Sequence, residues 1–211
     1  MHNKIDHFAI GAANLEQGVA ALRDALGVTV PRGGKHAAMS THNCVMQAGG
    51  ESFLEIISID PEAPPPGRAR WFTLDDPGTQ KRLAERPRAL CWVVGTDDLD
   101  VVVARSPVDL GEIVPFSRGE RTWRLTVPKD GSLPEAGLIP AFIEWSPGAH
   151  PSTGMQDRGV ALKRVRLTHP DPQWLLDVLR ALRVDHLAQV SEGPRTLSFT
   201  LESPAGEVTL D

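Results

Sequence analysis

Ile5-Asp6-His7-Phe8-Ala9-Ile10-Gly11-Ala12-Ala13-Asn14-Leu15-Glu16 lines up without a gap on Ala89-Leu90-Cys91-Trp92-Val93-Val94-Gly95-Thr96-Asp97-Asp98-Leu99-Asp100. In each stretch an apolar run with one odd residue, His7 or Cys91, leads into an Asn- or Asp-initiated helix start. Phe53-Leu54-Glu55-Ile56 then lines up on Phe142-Ile143-Glu144-Trp145 after a five-residue insertion. A unit recurring after about ninety residues is one supersecondary element used twice, and the cleft between two copies is a natural place for a site. His7 and Cys91 each stand eight residues before the helix-opening leucine, Leu15 or Leu99, so the correspondence holds in spacing as well as in pattern.

Outward from these stretches, the first unit reads as strand Ile5 to Gly11, then a helix from Leu15 to about Leu26. Asn14 caps that helix and Gly27 stops it, with Leu15, Val19, Leu22 and Leu26 on one face. Val28-Thr29-Val30 reads as a short strand ending at Pro31, and Arg32-Gly33-Gly34-Lys35-His36 as a glycine-rich loop. Asn43 to Gln47 and Ser52 to Ile59 read as strands joined by a hairpin turn at Ala48-Gly49-Gly50-Glu51. Residues 61–88 form a connector marked by Pro61 and Pro64-Pro65-Pro66-Gly67, with short helices expected around Arg70–Leu74 and Thr79–Glu85. Its Trp71 and Phe72 either pack as a linker over the core or roof the cleft. The second unit, residues 89–150, repeats the order, with strands Leu90 to Gly95, Glu112 to Phe116, Thr122 to Val127 and Ile139 to Trp145.

A third, degraded copy spans residues 160–211. It carries strand-like Val165-Arg166-Leu167, a helix opened by Asp171-Pro172, and three later strands. Arg164 falls at the position of His7 and Leu210 near that of the carboxylate, so this copy reads as structural. The expected fold is α+β: paired βαβββ modules (residues 1–60 and 89–150) with curled mixed sheets around a shared cleft, plus this partial third module.

Composition narrows the function. A formal net charge of −5 over 211 residues leaves no basic stripe for nucleic acid. No apolar run approaches the roughly 20 residues that span a bilayer. The opening Met1-His2-Asn3-Lys4-Ile5-Asp6 does not read as a signal peptide, which makes a cytoplasmic location the expectation. Cys44 and Cys91 lie in apolar runs and read as reduced core thiols rather than a disulfide. No Gly-x-Ser-x-Gly elbow, phosphate-cradling loop or dinucleotide fingerprint is present.

A strand-helix-three-strand unit used in pairs, with His on its first strand and Glu on its fourth, resembles the vicinal oxygen chelate superfamily. Arg32-Gly33-Gly34-Lys35-His36, Thr41-His42-Asn43, Phe53-Leu54-Glu55-Ile56 and Ala141-Phe142-Ile143-Glu144-Trp145 followed by His150-Pro151 look like the "glyoxalase-like domain" family within it. The resemblance implies four inward residues around one divalent ion, which by position are His7, Glu55, Cys91 and Glu144, with Cys91 standing where a second histidine is typical. Zinc, nickel, iron or manganese would suit such donors, and a metal-free cleft is the other possibility. Glu55 and Glu144 are the candidate acid–base groups; two carboxylates without a cation would repel, raising the pKa of one. Arg32, His36, His42, Trp92, Trp145 and His150 are the candidate ligand-binding residues, with Trp71 and Trp123 as further cleft lining. Two functions follow. One is a metal-assisted lyase, isomerase or dioxygenase acting on a small oxygen-rich or carbonyl-containing molecule. The other is a metal-free small-molecule binding or resistance-type protein. A homodimer is compatible with either.

Overall fold

The two quoted stretches lie side by side. In the computed structural model, which describes residues 3–211, β1 (Lys4–Gly11) and β5 (Arg88–Gly95) form an antiparallel pair. His7 faces Val93, Phe8 faces Trp92, and Ala9 faces Cys91. Exchanging each residue for its repeat counterpart maps this register onto itself, so the strands are related by a local twofold axis at Phe8–Trp92. The irregularities obey the same symmetry. The ladder skips Asp6 on β1 and its counterpart Leu90 on β5. A bulge of this kind lets two successive side chains point to one face, as Leu90 and Cys91 do in the same apolar cluster.

Each module completes the order expected of it. The first continues through α1 (Leu15–Leu26), β2 (Arg32–His36), β3 (Thr41–Gln47) and β4 (Phe53–Ile59). A connector containing α2 (Pro77–Glu85) leads to β5, then α3 (Leu99–Arg105), β6 (Glu112–Arg118), β7 (Arg121–Val127) and β8 (Ala141–Trp145). The eight strands form one sheet, ordered β2-β3-β4-β1-β5-β8-β7-β6, in which each module's first strand lies parallel to its last. Its two edges, β2 and β6, approach each other: a Cβ on Gly34 would meet Arg118 Nη1 at 2.9 Å. The sheet is therefore strongly curled, with a concave face that encloses space.

Local chemistry sets the helices as expected. Asn14 Oδ1 accepts the Gln17 amide at 2.8 Å, and Gly27 closes α1 at φ 74°. Asp98 and Asp171 cap α3 and α4 (Pro172–Ala181) in the same way. The glycine-rich stretch is a correction. Arg32–His36 is an edge strand rather than a loop, and residues 28–30 are irregular. The glycines permit close approach, because a Cβ at Gly33 would fall 2.2 Å from Asn43 Oδ1. Residues 71–74 are likewise a turn rather than a helix, with Phe72 and Thr73 in the left-handed region. That turn lays Trp71 and Phe72 against the concave cluster.

The third unit repeats the element order but not the pairing. β9 (Ala161–His169) sits between β10 (Gln189–Glu192), parallel to it, and β11 (Thr196–Ser203), antiparallel, with β12 (Gly206–Leu210) at the edge. The chain crosses over through α4 straight back to the neighbour of β9, whereas β1 has its module's fourth strand beside it. This small sheet covers the convex face of the large one, where Phe199 packs on Phe8 with ring centroids 4.7 Å apart. Trp92 belongs to that convex core, fully buried, with its indole donating to Leu138 O at 3.1 Å. It does not line the cleft.

Strand alternation also removes Glu144 from the cleft. On β8, Ala141, Ile143 and Trp145 face the concave side, while Phe142 and Glu144 face α3. Glu144 Oε2 accepts the Leu99 amide at 2.8 Å and binds Arg124 Nη2 at 2.8 Å, which caps the first turn of α3 and anchors it to the sheet. Glu144→Ala is expected to lower the unfolding free energy by about 1–2 kcal/mol, the usual cost of losing a cap. Urea unfolding measures it, and an unchanged midpoint would contradict this role.

Candidate active site

The concave face holds a cavity of about 50 Å³ between the modules. At its polar end are His7 and Glu55, on neighbouring parallel strands, and its walls include Trp71, Trp123 and Trp145. Behind His7 lies Asp6, a residue that sequence reasoning passed over. Because the ladder skips Asp6, its side chain turns to the same face as that of His7. The Asp6 carboxylate is almost fully buried and gathers three donors: His7 Nδ1 at 2.6 Å on Oδ1, and on Oδ2 Trp145 Nε1 at 2.7 Å and His150 Nε2 at 2.8 Å. Burial opposes its charge, yet the hydrogen bonds from His150 and His7 outweigh this and hold the carboxyl well below the usual carboxylate range.

An ionised Asp6 can only accept, which fixes the proton of neutral His7 on Nδ1 and leaves Nε2 as the free nitrogen. His7 Nε2 lies 3.8 Å from Glu55 Oε2, and the ring stacks on Phe53 at 4.5 Å. Burial disfavours the imidazolium, but the Asp6 hydrogen bond and the charges of Asp6 and Glu55 prevail and raise the His7 pKa above 6.5. His150 is oriented from behind. Its Nδ1 accepts the Ser152 amide at 3.3 Å, so Nε2 carries the proton given to Asp6. His150 thus supports the site through Asp6 rather than forming the cavity wall.

Glu55 is positioned by Asn43, which sequence reasoning also missed. The Gly34 amide donates to Asn43 Oδ1 at 2.7 Å, which turns Asn43 Nδ2 toward Glu55 Oε1 at 2.6 Å. One carboxylate oxygen of Glu55 is thereby committed and the other faces His7. His36 lines the same side, with Nε2 3.9 Å from Glu55 Oε1 and its ring edge-on to Trp71. Burial pushes the His36 pKa down to about 4, so it is neutral at pH 7.

Other expected residues are elsewhere. His42 alternates with Asn43 along β3 and sits near Asp60, at 3.9 Å, outside the cavity lining. Arg32 points outward to Glu16 at 2.9 Å. Cys91 faces the concave side but is completely buried beneath the cavity surface. Burial and the nearby Glu55 charge push its thiol pKa well above 9.0, as for an inert core thiol.

The strand register revises the fourth ligand position too. Ala9 pairs with Glu55 on β4, and its counterpart Val93 pairs with Ala141 on β8. The residue equivalent to Glu55 is therefore Ala141, not Glu144. Of the four ligand positions that the resemblance implies, only His7 and Glu55 carry donors suited to a metal. Among the described residues no group of three or more His, Cys, Asp or Glu side chains is arranged to hold an ion. The chemistry of this donor set does not fit a four-ligand divalent centre.

Comparison with known proteins agrees with this architecture. The profile of the glyoxalase-like domain family matches residues 5–182. A hypothetical protein from Staphylococcus aureus is similar in structure, at 14% identity and TM-score 0.59, over 99% of this chain and 84% of that one. At that identity the likeness concerns the fold alone. Methylmalonyl-CoA epimerase from Mycobacterium tuberculosis matches more weakly, at 13% identity and TM-score 0.43, over 71% of this chain and 91% of that one. No curated protein matches the sequence. With its twofold pair of βαβββ units, the chain belongs to the glyoxalase-like domain family.

Proposed function

We propose that this protein is an acid–base enzyme that moves a proton on a small carbonyl-containing molecule held in the inter-module cavity, with His7 as the proton-transferring group. The observation that carries this reading is the Asp6–His7–Glu55 array. A buried, ionised carboxylate holds the Nδ1 proton, and Nε2 is presented toward a second carboxylate across a 3.8 Å gap. This is the orienter-and-base arrangement of general acid–base catalysis. Neutral His7 takes a proton from the substrate at Nε2, and Asp6 stabilises the imidazolium that forms. Glu55 Oε2, beside Nε2, is placed to receive or return that proton. The aromatic walls exclude water and keep these charges strong. The metal-assisted route suggested by the superfamily finds too few donors here, so no step is assigned to an ion.

A second reading, metal-free sequestration of a ligand, is favoured by the aromatic lining of Trp71, Trp123 and Trp145. Solvent exchange separates the two. Small 2-oxo and 2-hydroxy acids, aldehydes and ketones incubated with the protein in D2O should show enzyme-dependent deuterium incorporation next to the carbonyl by NMR. His7→Asn and Glu55→Gln should each lower that rate by roughly 10²–10⁴-fold. Binding without exchange would favour sequestration and contradict the enzyme.

The rate should also report the His7 environment. The base form is neutral, so exchange should rise with pH through a midpoint above 6.5. Asp6→Asn removes the principal influence that raises this pKa and should move the midpoint to lower pH, which a pH–rate profile records. A midpoint unmoved by Asp6→Asn would show that Asp6 does not govern His7.

A further inference from the structure

The cavity wall holds a cation that the proton-transfer array does not use. Arg118, the last residue of β6, lines the cavity from the edge of the sheet that curls toward β2. Its Nη1 is buried and has no hydrogen-bond partner, and Arg118 makes no ion pair among the described residues. The opposite edge leaves room for it: Gly34 has no side chain where a Cβ would stand 2.9 Å from that nitrogen. Its neighbours do not neutralise it. His36 is uncharged at pH 7, and Glu55 makes no ion pair with Arg118: its Oε1 accepts from Asn43 and its Oε2 faces His7. A buried guanidinium N–H without an acceptor is costly, and an entering anion removes that cost.

We propose that Arg118 is the anion anchor of the cavity and that the ligand is a compact monocarboxylate, a 2-oxo or 2-hydroxy acid. This rests on the proton-transfer reading for the 2-oxo or 2-hydroxy group, while the carboxylate rests on Arg118 itself. A planar carboxylate matches the guanidinium fork. One guanidinium balances one negative charge, whereas a phosphate dianion would bring a second negative charge into a cavity that already holds Glu55. The cavity is small and walled by Trp71, Trp123 and Trp145, which suits a compact ligand. The aromatic walls suit a short apolar remainder.

Calorimetry on the full chain tests the proposal with pyruvate, 2-oxobutyrate, lactate and 2-hydroxybutyrate against their amides as neutral isosteres. At least one acid should bind, with its neutral isosteres weaker by roughly 10–100-fold, the scale of a lost charge-assisted hydrogen bond. Arg118→Gln should weaken the acid by a similar factor and leave the isosteres unchanged. Arg118→Lys should fall between, keeping the charge without the fork. Because Arg118 makes no ion pair in the free protein and its buried Nη1 lacks an acceptor, Arg118→Gln should unfold at a temperature no lower than the wild type, which checks that the fold is intact. Binding of no acid, equal binding of acids and isosteres, or unaltered affinity in Arg118→Gln would each overturn the proposal. His7→Asn keeps the two readings apart: it should retain acid binding while losing deuterium exchange. Binding through Arg118 with no exchange even in the wild type would leave this proposal standing and refute the proton-transfer one.

Discussion

The buried carboxylate of Asp6 is the interaction on which the site depends. It belongs to the first module's opening strand, yet two of its three donors, Trp145 and His150, come from the end of the second. It therefore ties the modules together behind His7 and orients that ring with the same charge. A desolvated carboxylate is tolerated only with its acceptor sites filled. Removing any donor should accordingly disturb both the junction and the histidine. The position is available because the β1–β5 ladder skips one residue. In a regular strand Asp6 and His7 would face opposite sides of the sheet.

The two halves keep their symmetry in the backbone and discard it in chemistry. Asp6, His7 and Glu55 of the first module correspond to Leu90, Cys91 and Ala141 of the second, all apolar or inert. The second module supplies walls and supports instead: Trp123, Trp145, His150 and Arg118. Such a division explains why a symmetric cleft lacks a symmetric ligand set. The third unit contributes no residue to the cavity lining. It seals the convex face, where Phe8 and Trp92 at the twofold axis need cover.

Much of the fold was legible because the repeat is ungapped where it matters and the helix caps are explicit. The site was only partly so. His7, Glu55, His36 and Trp145 reach the cavity as expected, since an odd polar residue in an apolar strand is a strong signal. Glu144 and Trp145 are adjacent on one strand, as are Cys91 and Trp92, and His42 and Asn43. Neighbours on a regular strand face opposite ways, so each pair can give one residue to the cleft. Which one is decided by register, and register depends on bulges and on pairing partners far along the chain. Asp6 was hidden for the same reason: a bulge has no sequence signature strong enough to override alternation. Arg118 was hidden because curling of the sheet, not sequence proximity, brings it over Gly34.

Ionised Asp6 holds the proton of His7 on Nδ1 and leaves Nε2 free. Long-range ¹H–¹⁵N correlation spectra of the histidine side chains, recorded above the pH at which His7 loses its charge, test it directly. His7 should show a protonated-type Nδ1 resonance and an unprotonated-type Nε2 resonance. The reverse tautomer, or rapid averaging between the two, would contradict it.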